Sequence, residues 1–344
     1  MPKNKKKTRV TISDVAARAG VSLATVSRVV NTPTIVTEPT RLRVEEAIDE
    51  LGYRPSSVAR GLSLGKSSLM AVIAPTPSTP SVSERVQGIA GRLGTSGYDL
   101  ALFDVEGVDD RDRVFEELAT SQRMASILLI SLKPTRRHLQ SFGDLANSLV
   151  VIDAYVPEVS SISIDNVEGG RLAARHFLEL GHRRVAFVGA EEKNPLGFTS
   201  SRDRRIGFEE VLTEAGINLG PDYTSIGPRG AGSATDAAER LLTLAEPPTG
   251  IFAASDTQAQ AILGAARGMG VDVPGRLSVI GFDDIKSAAA LALTTVRQPL
   301  EESGRLGAEL MMEYVEQGTG ETLKVDLRLP IELVERQTTA PLNS

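Results

Sequence analysis

Short apolar runs alternate with helical patterns over most of the chain, and this alternation restricts the fold more than any other feature. The runs are LMAVIAP, YDLALFDV, SILLI, SLVVID, SSISID, RRVAFVGA, DYTSIG, TGIFAAS and LSVIGFDD. Helical stretches lie between most of them, at residues 83–93, 111–121, 169–180, 204–215, 234–245 and 256–269. Alternation at this spacing predicts right-handed βαβ units and parallel sheets. Because the nine runs form two successive groups, we expect two lobes with ligands bound in the cleft between them, at the carboxyl ends of the strands.

The segment Thr11–Asn31, TISDVAARAGVSLATVSRVVN, carries two short helical patterns. Thr11 and Asp14 predict a capping box at the start of the first helix, and Gly20 supplies the left-handed residue that ends it. Ser22 then opens a second helix. Two helices around a glycine-containing turn are typical of the helix-turn-helix unit, whose second helix enters the DNA major groove. The outward residues of that helix suit contact with base edges: Leu23, Ala24, Thr25, Ser27 and Arg28.

Composition excludes several classes of protein. A chain of 344 residues predicts two to three domains. The apolar runs are far shorter than the roughly 20 residues that a membrane helix needs, and the basic start MPKNKKK lacks the apolar segment of a secretory signal. The chain has no cysteine, which excludes disulfides and thiolate metal sites. We therefore expect a soluble, cytoplasmic protein with no membrane partner.

Charge is divided unevenly between the two ends of the chain. Residues 1–66 hold 12 basic and 6 acidic side chains, a net charge of +6, whereas residues 67–344 have a net charge of −12. This asymmetry confines attraction to phosphate to the N-terminal part. The lysines of residues 3–7 are predicted to form a solvated tail that also makes non-specific phosphate contacts.

A third amphipathic helix is predicted between Thr37 and Gly52, which completes a three-helix headpiece. The following segment, YRPSSVARGLSLGKSS, lacks the apolar bulk for a core of its own and is interpreted as a linker that can order. The predicted organisation is a DNA-binding headpiece (1–56), a hinge helix and linker (57–67) and an effector-binding and dimerisation domain (68–344).

The chain resembles the LacI/GalR family of bacterial transcription regulators over residues 9–340. Six motifs stand in family order: TISDVAARAGVSLATVSRVVN, LGYRPSSVARGL, IDNVEGGRLAARHFLELGHRRVAFVG, RRIGFEEVLTEAG, VPGRLSVIGFDD and LTTVRQPLEESGRLGAELM. The resemblance implies an all-α helix-turn-helix headpiece and an α/β body with two lobes, like a periplasmic binding protein. The chain then crosses between the lobes three times. The N-lobe comprises about 68–165 and 298–325, and the C-lobe about 166–297 and 326–344.

The resemblance also implies roles in DNA binding. Leu23, Ala24 and Arg28 match positions that read bases, and an arginine can donate two hydrogen bonds to guanine. Leu62, in the hinge beside Ala59, matches a leucine that wedges into the minor groove and kinks the duplex. Further headpiece positions match residues at or next to the DNA backbone: Thr11, Ser22, Thr25, Ser27, Asn31 and Tyr53. Helix capping explains Ser22 and Thr25 equally well. The implied partner is near-palindromic double-stranded operator DNA, bound by a homodimer because one headpiece reads one half-site.

The effector site is predicted in the interlobe cleft. Arg204 and Asp283 match ligand-binding positions of the family, and Ser255 stands where asparagine is frequent. Ser131 and Asp153 end strands that face the cleft, Gln298 lies on a crossover, and Asp256 opens a helix, where a charge at the helix N-terminus is an alternative role. Ser81 and Val82 replace the adjacent aromatic residues of many members, so a stacked purine is disfavoured. These residues favour a sugar or a sugar phosphate as effector. No cofactor is predicted.

Two other classes of function are weighed. An enzyme is disfavoured because His138, His176 and His182 lack metal-ligand spacing, no GxSxG motif occurs, and GLSLGKS is one residue short of a phosphate-binding loop. We therefore predict neither catalytic nor metal-binding residues, and assign His182 a role in a turn. The alternative is a solute-binding module without DNA regulation, which needs an export signal and no headpiece.

Overall fold

The computed structural model describes residues 10–31, 33–53, 67–121, 123–190, 196–228, 230–318 and 323–342. The hinge positions Ala59 and Leu62 therefore lie outside the described residues. Contact clustering divides the chain into an N-terminal unit, residues 1–69 with 97–99, and a larger unit formed by the rest.

The N-terminal unit contains three α-helices among its described residues: α1 (Ile12–Ala19), α2 (Leu23–Asn31) and α3 (Glu38–Leu51). Its core is formed by apolar side chains from all three helices, among them the fully buried Val15, Val26 and Val44. The carboxylate of Asp14 accepts hydrogen bonds from the backbone N–H and the hydroxyl of Thr11, each 2.7 Å long. The backbone of Gly20 is left-handed, with φ of 65°. The predicted helix start and turn are both present.

The larger unit contains two six-stranded sheets, each covered by helices. Its strands are β1 (Leu69–Ala74), β2 (Asp99–Asp104), β3 (Met124–Ile130), β4 (Leu149–Ile152), β5 (Ser160–Ser163), β6 (Val185–Ala190), β7 (Thr224–Gly227), β8 (Gly250–Ala253), β9 (Ser278–Asp283), β10 (Thr294–Arg297), β11 (Asp326–Arg328) and β12 (Glu332–Val334). Its helices are α4 (Pro80–Leu93), α5 (Val108–Thr120), α6 (Arg136–Phe142), α7 (Asn166–Glu179), α8 (Ser200–Glu214), α9 (Ala231–Leu242), α10 (Asp256–Gly268), α11 (Lys286–Ala290) and α12 (Leu300–Gln317).

The two sheets define the two lobes. The first sheet has the order β11-β5-β4-β3-β1-β2 and the second the order β12-β10-β9-β8-β6-β7. The pairing is parallel from β3 to β11 in the first sheet and from β7 to β10 in the second, and β12 joins β10 antiparallel. This order places the carboxyl ends of the central strands at one edge of each sheet.

The chain crosses between the sheets three times, and one predicted boundary needs correction. Residues 326–344 were assigned to the C-lobe, but β11 pairs with β5 of the first sheet, from Asp326 opposite Ser161 to Arg328 opposite Ser163. The third crossing therefore lies between Arg328 and Glu332. Two strands that the apolar runs did not reveal, β10 and β11, are rich in threonine or charged residues. Neighbouring strands, rather than their own hydrophobicity, specify them.

Candidate functional site

The exposed face of α2 presents the side chains expected to meet DNA. Leu23, Ala24 and Arg28 are exposed, whereas Val26 and Val29 are buried in the headpiece core. This orientation is required for a recognition helix. Contact of these residues with bases remains a prediction.

Ser22 and Thr25 cap the recognition helix. The hydroxyl of Ser22 accepts a hydrogen bond of 3.1 Å from the backbone N–H of Thr25, and the two hydroxyls lie 2.9 Å apart. Both side chains retain exposure, so capping and phosphate contact are compatible. Asn31 ends α2, and the ring of Tyr53 packs against the headpiece core.

A cavity of about 600 Å³ lies between the two lobes of the larger unit. Ser131, Asp153 and Asp283, at the carboxyl ends of β3, β4 and β9, line it and have φ angles of 57°, 61° and 118°. Non-glycine residues avoid such conformations, and they concentrate at sites where side chains must be aimed. The strained backbone therefore coincides with the predicted effector residues.

The N-lobe side of the cavity floor is built on Asp153. Its Oδ2 accepts a hydrogen bond of 2.7 Å from the hydroxyl of Ser131, and its Oδ1 lies 3.5 Å from Nη2 of Arg85. The same Nη2 donates a 2.9 Å hydrogen bond to Oε1 of Gln298. The side chains of Arg85 and Asp153 are only 4 % and 11 % exposed. Burial strengthens the attraction between such charges and also adds a desolvation cost, so loss of either partner would leave a costly uncompensated charge.

Gln298 joins this cluster to the C-lobe side. Its Nε2 donates a 2.6 Å hydrogen bond to Oδ1 of Asp283, which lies 3.6 Å from Nη1 of Arg204. Burial raises the pKa of Asp283, while Arg204 and Arg85 oppose that rise. Five side chains thus form one buried polar floor across both lobes: Asp153, Arg85, Gln298, Asp283 and Arg204.

Arg204 is fixed by the C-lobe itself. Its Nε donates to Oδ1 of Asn166 at 2.8 Å and its Nη1 to the carbonyl oxygen of Ala254 at 2.5 Å. The guanidinium also stacks on the ring of Phe282, with 3.4 Å from Cζ to the ring centroid. An arginine held in this way is a preorganised planar donor.

Asp256 does not belong to the cavity lining, which corrects its assignment to the effector site. The side chain is fully buried. Its Oδ1 accepts a 2.6 Å hydrogen bond from the hydroxyl of Thr295, and its Oδ2 accepts one of 2.9 Å from the backbone N–H of Ile285. Burial and the neighbouring Asp283 raise its pKa. Asp256 therefore ties α10 to β10 and to the loop before α11, while the adjacent Ser255 caps α10 and does line the cavity.

Sequence reasoning missed Arg85 and Phe198, which both line the cavity. Arg85 shares the buried face of α4 with Val82 and Ile89. A charged residue at a buried helical position is a signal that the sequence contained. Phe198 follows a segment outside the described residues and had no such signal, although it packs on the hydrophobic core of the N-lobe.

The comparisons with known proteins agree with this architecture. Residues 11–56 match the family described as bacterial regulatory proteins, lacI family. Residues 174–339 match the periplasmic binding protein-like domain. The chain is 31 % identical to the HTH-type transcriptional repressor PurR of Photobacterium profundum, covering 97 % of this chain and 99 % of that protein. It is 32 % identical to the repressor CytR of Escherichia coli K12, covering 99 % and 100 %.

Solved structures give the same result. The lac repressor dimer bound to operator and the anti-inducer ONPF matches with a TM-score of 0.82 and 28 % identity, covering 97 % of this chain and all of that chain. The complex of the transcriptional regulator CelR with cellobiose matches with a TM-score of 0.69 and 31 % identity, covering 96 % of this chain and all of that one. The chain belongs to the LacI/GalR family. It is a DNA-binding transcriptional regulator whose operator binding is controlled by a small ligand.

Across the described residues, no helix combines the length and the apolar character needed to span a membrane.

Proposed function

We propose that this regulator is a repressor whose effector is a sugar or a sugar phosphate bound in the interlobe cavity. The observation that carries the proposal is the buried polar floor, in which two arginines and two aspartates are joined by Gln298. Arginine nitrogens donate and carboxylates accept, so the floor can engage ligand hydroxyls in both directions. A cavity of about 600 Å³ suits a small organic ligand.

Hydroxyl side chains on the rest of the lining support the same class of ligand. They are Thr76, Ser78, Thr79, Ser81, Ser131, Ser200, Ser201, Ser255 and Thr257. Such groups rotate to suit a partner and both donate and accept. The similar protein CelR was solved with cellobiose, which agrees with a carbohydrate effector.

DNA binding in this proposal requires a homodimer on a near-palindromic operator. Effector binding changes the closure of the lobes, closure changes the spacing of the two hinge segments, and operator affinity follows. Couplings of this kind are typically about 1–3 kcal/mol. The dimeric lac repressor seen on its operator supports this arrangement.

The effector proposal is tested by calorimetry of the full-length protein against pentoses, hexoses, disaccharides and their phosphate esters. At least one compound is expected to bind, and Arg204→Ala is expected to weaken that binding at least tenfold. Circular dichroism checks that the variant is folded. Unchanged affinity in a folded Arg204→Ala variant would remove this residue from the site.

The hinge prediction is tested on duplexes obtained by in vitro selection with the full-length protein. Leu62→Ala is expected to weaken binding to a selected duplex far more than binding to random DNA, since only the specific complex requires a kinked base step. Equal losses on both duplexes would exclude the wedge role.

A further inference from the structure

Arg85 introduces a second guanidinium into the effector cavity, and nothing in the family comparisons assigns it a role. It lies on α4, and its side chain reaches the floor beside Asp153. Burying an arginine at this point has a large desolvation cost unless its charge is balanced. What balances it determines which ligand charge the cavity accepts.

The charges of the floor are already compensated by protein groups. Arg85 faces Asp153 and Arg204 faces Asp283, with nitrogen–oxygen distances of 3.5 Å and 3.6 Å. Among the described residues, one further charged residue lines the cavity, Glu106. The described lining thus holds two cations and three carboxylates and offers no excess positive charge to an anionic ligand.

The amide of Gln298 fixes this pattern. Its oxygen accepts from Arg85 and its nitrogen donates to Asp283. In the flipped orientation, the amide nitrogen would face the arginine donor and the amide oxygen would face a carboxylate. The array of donors and acceptors across the floor therefore has one consistent arrangement.

Among the described residues, two buried side-chain atoms lack a hydrogen-bond partner, and they belong to this pair: Nε of Arg85 and Oδ1 of Asp153. One is a donor and the other an acceptor. Because both atoms are buried, neither faces the ligand, and the guanidinium and the carboxylate are matched to each other by charge rather than by a direct hydrogen bond.

We propose that the pairing of Arg85 with Asp153 determines effector specificity: the carboxylate of Asp153 cancels the charge of the guanidinium, so the cavity selects an uncharged polyhydroxyl effector over its phosphate ester. This inference rests on the proposed function and narrows its two classes of effector to one. Arg85 neutralises the local carboxylate and orients Gln298. The ligand then meets balanced guanidinium–carboxylate pairs rather than a cationic pocket.

The first test compares each neutral sugar of the panel with its own phosphate ester, using calorimetry on the full-length protein. The neutral parent is expected to bind at least about tenfold more tightly. Equal or tighter binding of the ester overturns the inference but leaves the proposed carbohydrate effector standing. Binding of neither member in any pair overturns both.

The second test changes the charge balance in opposite directions. Asp153→Asn removes one negative charge with little change in shape, so the affinity ratio of neutral sugar to ester should fall. Arg85→Gln removes the cation and leaves Asp153 uncompensated, so the ratio should rise. In Asp153→Asn, the loss of a carboxylate acceptor should also weaken binding of the neutral sugar by about tenfold.

Opposite movements of the ratio distinguish a role in specificity from general damage to the fold, which lowers both affinities together. The controls are Asp144→Asn and Arg267→Gln, which make the same charge changes at exposed positions outside the cavity lining. The double variant Arg85→Gln/Asp153→Asn restores the charge balance, so its ratio should return towards the wild-type value. A ratio that stays constant in all folded variants, or moves in one direction in both single variants, overturns the inference.

Discussion

Individual side chains near the cleft separate into those that line the cavity and those that hold the strands together. Asp283 ends β9 and lines the cavity, whereas Asp256, whose pKa burial and Asp283 raise, has both oxygens engaged inside the protein. Two carboxylates that occupy similar positions, each after a strand of the C-lobe, therefore have different roles. The difference depends on hydrogen bonds from Thr295 and Ile285.

This division predicts that Asp256→Ala affects stability rather than effector recognition. The substitution leaves the buried N–H of Ile285 and the hydroxyl of Thr295 without their acceptor, which costs roughly 1–3 kcal/mol for each unsatisfied group. The free energy of unfolding, measured in urea, should fall accordingly, while effector affinity changes little in the folded fraction. The matched control is Thr295→Val, which removes one of the two hydrogen bonds. A strong loss of effector affinity in Asp256→Ala, with an unchanged free energy of unfolding, would contradict this role.

Among the exposed residues of α2, Arg28 is the one from which we expect the most specific contact with a base. Arg28→Ala should cost about 1–3 kcal/mol on a selected duplex and relax sequence preference at one base pair, because a bidentate contact to guanine is lost. Arg18→Ala is a control on α1, where the guanidinium pairs with Glu50 instead. Fluorescence anisotropy on cognate and single-substituted duplexes measures both effects. An unaltered base preference in Arg28→Ala would exclude direct readout by this residue.

Among the site residues, prediction from sequence succeeded for position where a motif or a strand end fixed it, while the role in effector binding stays a prediction. Six of the predicted residues line one cavity: Ser131, Asp153, Arg204, Asp283, Ser255 and Gln298. It failed at Asp256 because spacing places a residue at a helix start without revealing which buried groups it meets. It failed at Arg85 because its partners, Asp153 and Gln298, are distant in sequence and only the fold brings them together.

Glycines position the two helices that carry the arginines. A Cβ added at Gly88 of α4 would lie 2.0 Å from the carbonyl oxygen of Glu301 on α12, and one added at Gly207 of α8 would lie 1.8 Å from that of Val167 on α7. Both are far shorter than van der Waals contact. The backbones of these helix pairs therefore approach closely. This approach fixes the backbone positions from which the side chains of Arg85 and Arg204 extend.

This packing predicts opposite results for two substitutions in the same helix. Gly88→Ala should destabilise the protein by about 1–3 kcal/mol, since α4 must move away from α12. Gly91→Ala, with no atom within 4 Å of the added Cβ, should be neutral or stabilise by up to about 1 kcal/mol. Urea denaturation of both variants tests the pair. Similar effects of the two substitutions would contradict the close approach.

A helix or strand was predictable from the sequence where the hydrophobic periodicity and the length of the segment indicated the same type of element. The six helical stretches predicted between apolar runs are present, but the predicted starts at residues 83, 111 and 169 lie three residues after those observed at Pro80, Val108 and Asn166. The first turns contain proline, acidic residues and asparagine, which obscure the apolar pattern. These first turns border the cavity at α4 and α5.

At the scale of the larger unit, two buried histidines, His176 and His182, contribute to the dependence of stability on pH. His182 contacts Thr249 and the carbonyl oxygen of Ala340, and the ring of His176 lies 3.0 Å from the hydroxyl of Thr339, so both hold the C-terminal segment. His182 also has the predicted turn role, because its backbone N–H donates a 2.9 Å hydrogen bond to the carbonyl oxygen of Phe177 at the end of α7. Burial lowers the pKa of both rings below the ordinary value of 6.5.

A lowered histidine pKa means that the unfolded chain takes up protons more readily than the folded one. The stability from these rings is therefore present above pH 6.5 and is lost as the pH falls below it. The melting temperature should drop between about pH 7.5 and pH 5.5, and His182→Gln should make that drop smaller. Buried Asp256 and Asp283, with raised pKa values, act in the opposite direction, and the comparison with the variant cancels their contribution. An identical pH dependence in His182→Gln would contradict this assignment.

The whole molecule is a regulator only if occupation of the cleft changes the affinity of the headpiece for DNA. The direct measurement is the Kd of the full-length protein for a selected duplex, by fluorescence anisotropy, with and without a saturating neutral sugar that calorimetry has shown to bind. We expect the Kd to change by about 5- to 150-fold, the range of typical allosteric couplings. A Kd that stays the same while the sugar occupies the cavity would contradict the account.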